Sequence, residues 1–146
     1  MHNIEKSIVT PFTQKELFEI IANVELYSQF IPGCNESSLK IINELDAVGT
    51  LHIDRMGISY NFSTLNTHYK YEKIILNLVK PNDVLSDLTG EWIFNKISDS
   101  STEIIFKLQY NMYGVYKFAL PLLVNGLADS MLSAFSQRAY EIKKND

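Results

Sequence analysis

The stretch TEIIFKLQYNMYGVYKFALPLLVNGLADSMLSAFSQRAYEI, residues 102–142, decides the fold because its hydrophobic period changes in the middle. Up to Tyr113, apolar and polar residues alternate, which predicts a strand over Thr102–Tyr113 with one buried and one solvated face. From Leu123 to Ile142, apolar residues recur at three- and four-residue steps, which predicts the longest helix of the chain. Pro121 either occupies the first turn of its main part or kinks it.

Upstream of this stretch, from Ser37 onward, short β-rich runs alternate with turn residues and no helical period is visible. That pattern is typical of an antiparallel meander. Asp46 and Asn66 are among the expected breaks. The predicted strands, including one at the N-terminus, are Ile4–Val9, Leu39–Leu45, Gly49–Asp54, Ser59–Leu65, Tyr71–Val79, Leu88–Phe94 and Thr102–Tyr113.

Two short helices are predicted between the first strand and the meander. Thr13-Gln14-Lys15-Glu16 fits a capping box, and apolar residues follow it at helical spacing. A second helix over about Val24–Phe30 should stop before Pro32, which cannot continue it.

This element order predicts an α+β fold with a cavity. About seven strands make a sheet roughly 30 Å wide, whereas a helix with its side chains is about 10–12 Å across. The sheet must therefore curl around the helix. A second apolar row on the helix needs a further neighbour, which could be core side chains, a lipid-like ligand, a membrane surface or a partner. That row is Leu120, Val124, Ala128 and Leu132.

The composition describes an ordinary globular chain. Its 146 residues predict one domain, and a net charge of -4 argues against a general nucleic-acid footprint, so no DNA partner is expected. A single cysteine, Cys34, excludes an intrachain disulfide. The chain starts without a signal-peptide pattern, and its longest apolar run, Phe118 to Val124, is far shorter than a bilayer span. A cytoplasmic protein is expected.

Motifs for catalysis and metal binding are missing. The three histidines, His2, His52 and His68, are scattered, and the glycines form neither a nucleotide-binding nor a hydrolase motif. The sequence therefore predicts no catalytic residue, no metal site and no required cofactor.

The segment Val24-Glu25-Leu26-Tyr27-Ser28-Gln29-Phe30-Ile31-Pro32-Gly33-Cys34 resembles a motif of the coenzyme Q-binding START-domain family. Bacterial members of that family include RatA-type ribosome association toxins, within a polyketide cyclase/dehydrase-like, Bet v 1-like superfamily. Three further segments agree in order: Gly57 with Phe62, Thr64 and Asn66; Gly90-Glu91-Trp92-Ile93-Phe94; and Met131 with Ala134-Phe135 and Arg138-Ala139. The chain departs from the family at Lys80-Pro81-Asn82-Asp83-Val84, where a Gly-Pro-Phe loop is usual.

The resemblance implies a helix-grip fold, START/Bet v 1-like, whose cavity holds a hydrophobic molecule. The leading hypothesis is non-enzymatic binding of ubiquinone or another isoprenoid lipid in support of respiratory electron transport. A phenol such as Tyr60 or Tyr110 could donate a hydrogen bond to a quinone carbonyl. The residues expected to bind the ligand are Phe30, Tyr60, Phe62, Leu78, Trp92, Phe94, Phe106, Leu108, Tyr110, Leu123, Leu127 and Met131.

Two alternatives remain at this point. One is a ribosome association toxin that binds the large subunit and blocks subunit joining. The other is a polyketide cyclase or dehydratase, for which the sequence offers no convincing acid/base pair. Peripheral contact with the inner membrane through the start of the last helix is also open.

Overall fold

The computed structural model describes residues 1–145 and shows one seven-stranded antiparallel sheet with a long helix against it. The strand order is β1-β7-β6-β5-β4-β3-β2, so the first strand lies beside the last and every other neighbour is consecutive. The strands are β1 (His2–Thr10), β2 (Cys34–Ile41), β3 (Asp46–Arg55), β4 (Ile58–Tyr69), β5 (Lys73–Leu78), β6 (Leu85–Ser98) and β7 (Ser101–Met112).

The two short helices lie where the sequence predicts them. Helix α1 (Gln14–Ala22) begins with the predicted capping box: Thr13 accepts from the Glu16 N–H, and Glu16 accepts from the Thr13 N–H. The second is a 3-10 helix over Val24–Gln29. A further 3-10 turn over Gly114–Tyr116 follows β7.

Helix α2 (Ala119–Lys144) is 26 residues long, about 39 Å, and lies in the curl of the sheet. Pro121 is in its first turn, where a missing N–H removes no helical hydrogen bond. Both apolar rows are buried, and Lys6 of β1 forms a 2.9 Å ion pair with Asp129. The helix-grip prediction is confirmed.

By length and hydropathy alone, α2 could also cross a membrane; its most apolar window averages 1.2 in hydropathy. That apolar character has a structural explanation here. Leu120, Leu123 and Phe135 are fully enclosed between α2 and the other elements, as expected for the central helix of a folded domain.

Several strand boundaries differ from the prediction. Asp46 and Asn66 were expected to break strands, but Asp46 begins β3 and Asn66 lies within β4, paired with Ala47. Strand β2 starts at Cys34 and ends at Ile41, whereas the sequence predicted Leu39–Leu45. Asp46 and Asn66 are polar residues typical of turns, but ladder pairing between β3 and β4 keeps them in strands. At the end of β2 the reverse holds, because the Asn43 side-chain oxygen accepts from the Leu45 and Asp46 N–H groups and turns the chain.

The alternation in β7 is confirmed. Ile104, Phe106, Leu108 and Tyr110 are buried under α2 and the neighbouring strands, while Lys107 and Gln109 are exposed. This face of β7, with β6 beside it, forms the floor of the space described next.

Candidate functional site

A partly enclosed space of about 90 Å³ lies between α2 and the concave face of the sheet. It exists because one helix cannot fill the curl of a seven-stranded sheet. Its walls come from the first 3-10 helix, strands β3 to β7 and α2. The lining residues are Val24, Tyr27, Gly49, Leu51, Tyr60, Phe62, Thr64, Asn66, Leu76, Leu85, Leu88, Trp92, Phe106, Leu108, Val124, Leu127, Ala128 and Met131.

Aromatic packing fixes one wall of this cavity. The ring of Trp92 stacks on Phe106 at 4.1 Å between centroids and meets Phe135 of α2 edge-on at 5.3 Å. Because Trp92 and Phe106 are cross-strand partners in β6 and β7, the sheet register itself sets this stack.

More than half of the residues predicted to bind a ligand line the cavity. They come from three strands and α2, as the alternation of the strands and the helical period required. These residues are Tyr60, Phe62, Trp92, Phe106, Leu108, Leu127 and Met131.

Three predicted wall residues in the sheet lie elsewhere, and their assignment to the cavity is wrong. Phe94 lies beneath α1, 5.4 Å from the ring of Phe18. Tyr110 is buried, with its ring stacked on His2 of β1 at 5.4 Å. Leu78 ends β5 and is only partly buried, whereas Leu76, two residues earlier on the same face, reaches the cavity.

Two further residues, both predicted to lie on helices, are also wrongly assigned to the cavity wall. Phe30 packs 5.9 Å from Phe135 and lines a surface groove between α1 and the end of α2, with the Arg138 guanidinium 5.5 Å from its ring. Leu123 is fully buried, but the next residue, Val124, faces the cavity instead. One step along a helix rotates the side chain by about 100°, which separates these two neighbours.

Sequence reasoning missed the polar part of the lining. Thr64 and Asn66 follow Tyr60 and Phe62 at steps of two, so all four lie on one face of β4. The alternation within the predicted strand Ser59–Leu65 already indicates Thr64, whereas Asn66 lies beyond the predicted end of that strand. Gly49 of β3, paired with Thr64, was missed as well.

The cavity is electrically neutral. No Asp, Glu, Lys, Arg or His is among its lining residues. Burial raises the pKa of the Tyr60 phenol above its ordinary value, with a smaller contribution from nearby Tyr110. Burial likewise raises the pKa of Tyr27, whose hydroxyl donates to the Ile21 carbonyl. Neither phenol is therefore available as a general base near neutral pH.

No group of three or more metal-ligating side chains occurs within residues 1–145. Cys34 is buried beneath the corner where the first 3-10 helix meets β2. Tyr27 also stabilises this corner, because its hydroxyl donates a hydrogen bond to the Ile21 carbonyl of α1, while its ring lines the cavity.

A second feature lies on the surface at the start of α2. We call it the helix-entry patch: Tyr113, Val115, Phe118 and Leu122. Val115 and Phe118 are 84% and 82% exposed, which is unusual for large apolar side chains this close together. No Asp or Glu occurs from residue 113 to residue 128, whereas Lys117 lies within the patch.

A family model described as polyketide cyclase / dehydrase and lipid transport matches residues 10–136. The chain belongs to this family. The polyketide cyclase/dehydrase match covers every element from the end of β1 into the last third of α2.

Relatives of this family member include a ribosome toxin. The ribosome association toxin RatA of Escherichia coli strain K12 is 27% identical over 143 residues, covering 97% of this chain and 89% of that protein. Several other bacterial relatives carry the same name.

Solved structures agree on the fold. The Zhui aromatase/cyclase of Streptomyces sp. R1128 superposes with a TM-score of 0.88 at 14% identity, covering 95% of this chain and 93% of that chain. A START superfamily protein of Mycobacterium smegmatis gives 0.81 at 16% identity, covering 97% and 99%. Proteins named as cyclases thus share the fold of this chain, proteins named as toxins are similar to it in sequence, and fold alone does not choose between the two functions.

Proposed function

We propose that this chain is a ribosome association toxin that binds the large ribosomal subunit and blocks subunit joining. The full-length similarity to RatA carries this proposal, since it covers 97% of the chain at 27% identity. A ribosome-associated role places the site of action in the cytoplasm.

The helix-entry patch is the surface that best suits ribosome contact. The chain as a whole is acidic, with a net charge of -4, and an acidic surface is repelled by ribosomal RNA. The segment from residue 113 to residue 128 contains no carboxylate, and Lys117 supplies a positive charge beside exposed Val115 and Phe118. Asp83 lies next to this segment, because the neighbouring Val84 carbonyl accepts a hydrogen bond from the Tyr113 N–H. Apolar side chains beside a lysine can dock on a mixed surface of RNA and ribosomal protein.

Sedimentation of ribosomes in sucrose gradients tests this proposal. The purified protein, added to salt-washed subunits, should reduce the joined-ribosome peak and co-sediment with the large subunit. Phe118→Ser should weaken both effects. Ile97→Ser is the matched control, because Ile97 is also exposed but lies in the β6–β7 hairpin near the other end of α2. Unchanged subunit joining with the native protein would overturn the proposal.

A second function, binding of an apolar molecule, is favoured by the neutral cavity under α2. Ubiquinone is the ligand suggested by the sequence, but about 90 Å³ is far below the roughly 300–1,000 Å³ of typical small-molecule sites. A whole ubiquinone molecule therefore does not fit inside this space, and only part of it could enter without a movement of α2. The cyclase or dehydratase alternative is not favoured, because the cavity offers no group that could act as a base.

Quinone binding is tested by mild extraction and fluorescence. Because Trp92 forms part of the cavity wall, an entering quinone should quench its emission. Absence of any extracted lipid, together with unchanged Trp92 emission on addition of ubiquinone, would exclude quinone as the ligand. That result would leave smaller ligands and the ribosome proposal unaffected.

A further inference from the structure

Asn66 is an exception in an otherwise apolar cavity. Its side chain is 3% exposed to solvent, yet it lines the space under α2. Burying a carboxamide is unfavourable unless its donors and acceptor find partners, so the position of each of its atoms matters.

Thr64 fixes how this carboxamide is oriented. The Thr64 hydroxyl, buried on the same face of β4, donates to Asn66 Oδ1 at 2.5 Å. The Asn66 carboxamide oxygen therefore already accepts a hydrogen bond from within the protein. The hydrogen bonds among residues 1–145 include none from Asn66 Nδ2, which leaves this donor for an occupant of the cavity.

Gly49 lets strand β3 pack closely against this amide. A Cβ atom at Gly49 would lie 3.0 Å from Asn66 Nδ2 and 3.2 Å from Val24 Cγ1, closer than ordinary van der Waals contact. Because glycine has no side chain, Asn66 keeps its place in the cavity wall without a clash.

The rest of the lining restricts what can enter. An ion would lose its hydration without gaining a counter-charge, because no charged side chain faces the cavity. The volume of about 90 Å³ is only partly enclosed, so part of a longer occupant can extend out of it. The part of an occupant that lies within the cavity is therefore neutral.

We propose that this cavity binds a compact, uncharged molecule bearing a hydrogen-bond acceptor, such as a ketone or ester carbonyl, and that Asn66 Nδ2 donates to that acceptor. The inference rests on the second function proposed above and specifies the chemical class of its ligand. It does not depend on ribosome association.

The test compares two probes of nearly the same shape, 2-pentanone and 2-methyl-1-pentene. In 2-methyl-1-pentene a methylene group replaces the carbonyl oxygen of 2-pentanone. Both are titrated against the full chain, and the Asn66 side-chain amide and the Trp92 indole are followed by ¹H–¹⁵N NMR. We expect both probes to shift the indole signal, but only the ketone to move the Asn66 amide protons downfield.

Asn66→Leu tests how much the hydrogen bond from Asn66 contributes to the affinity for the ketone. Losing one neutral hydrogen bond should weaken 2-pentanone binding about tenfold while leaving 2-methyl-1-pentene binding unchanged or tighter. Asn77→Leu, the same substitution at an exposed asparagine of β5, is the control and should change neither affinity. If Asn66→Leu does not fold, the amide shift in the native protein still decides.

The outcomes separate the inference from the function on which it rests. Equal effects of both probes on the Asn66 amide, or an unchanged ratio of affinities in Asn66→Leu, would overturn the role of Asn66 and leave apolar binding intact. If 2-pentanone does not bind, ligand binding in this cavity is overturned, and this inference with it.

Discussion

At the scale of single residues, Tyr27 joins the corner of the fold to helix α1. Its buried hydroxyl donates to the carbonyl of Ile21, one of the carbonyls at the end of α1 that lack a helical partner. Tyr27 belongs to the segment that resembles the family motif, and its hydroxyl already has a structural partner. This favours a mainly structural role for that group.

Tyr27→Phe should therefore lower the free energy of unfolding by about 1–3 kcal/mol, because it leaves the Ile21 carbonyl buried without a donor. Urea denaturation monitored by circular dichroism measures the change. Tyr140→Phe, at a tyrosine that is half exposed, should change stability by less than about 0.5 kcal/mol. Equal effects of the two substitutions would contradict the role assigned to the Tyr27 hydroxyl.

Cys34 should be chemically inert in the folded chain. Burial raises the pKa of its thiol to about 11, so at pH 8 the reactive thiolate is scarce. We expect iodoacetamide to modify Cys34 slowly in buffer and rapidly in urea, as followed by mass spectrometry. Rapid modification of the native protein would show that the thiol is accessible.

The same shift predicts a pH dependence of stability. The unfolded thiol ionises near its ordinary pKa of 9.0 and the folded one near 11, so ionisation favours the unfolded chain between these values. The stability that comes from keeping the Cys34 thiol protonated in the folded chain is complete below about pH 9 and is lost as the pH rises toward 11. Between these values the native protein should lose more stability than Cys34→Ser, measured by urea denaturation at each pH. Equal losses of stability in the native protein and in Cys34→Ser would contradict a raised pKa of the Cys34 thiol.

At the scale of elements, Gly90 allows β6 and β7 to approach closely. A Cβ atom there would lie 2.8 Å from Leu108 Cδ1 and 3.0 Å from the Lys107 carbonyl oxygen. This contact gives a physical reason for the glycine in the Gly90-Glu91-Trp92 segment.

Gly90→Ala should lower stability by about 1–3 kcal/mol through overpacking, and it should displace Leu108 in the cavity wall. Thermal unfolding measures the first effect and the Leu108 methyl signals in NMR measure the second. Gly114→Ala is the control, since nothing lies within 4 Å of a Cβ at that position. An unchanged melting temperature in Gly90→Ala would contradict the close approach.

At the scale of the whole molecule, the space left between α2 and the curl of the sheet determines how the core responds to larger side chains. Met131 and Leu132 are adjacent and both buried in α2, but only Met131 lines the cavity. They form a matched pair for testing whether that space is real.

Met131→Phe should change stability by less than about 1 kcal/mol, because the ring can occupy the cavity, and it should abolish binding of 2-pentanone. Leu132→Phe should cost about 1–3 kcal/mol by overpacking. Chemical denaturation and NMR titration measure the two effects. If both substitutions destabilise the protein equally, the cavity under Met131 is already filled.

Elements were largely predictable because their signals are local. The change of period near Tyr113, the capping box at Thr13 and the alternation in β7 depend on neighbours a few residues away. Asn66 shows where local reasoning fails: an asparagine favours turns, but pairing with Ala47 keeps it inside β4.

The amino-acid sequence by itself determined the helix-grip fold, the apolar rows of α2 and the family of the chain, because periodicity and motif spacing are properties of the chain alone. Only the tertiary structure decided which side chains border the cavity and that Asn66 is among them. A cavity forms where side chains of separate elements fail to meet, and that depends on sheet curl and register between residues far apart in sequence. For this reason Phe94 and Tyr110 were assigned to the cavity wrongly, while Thr64 and Gly49 were overlooked.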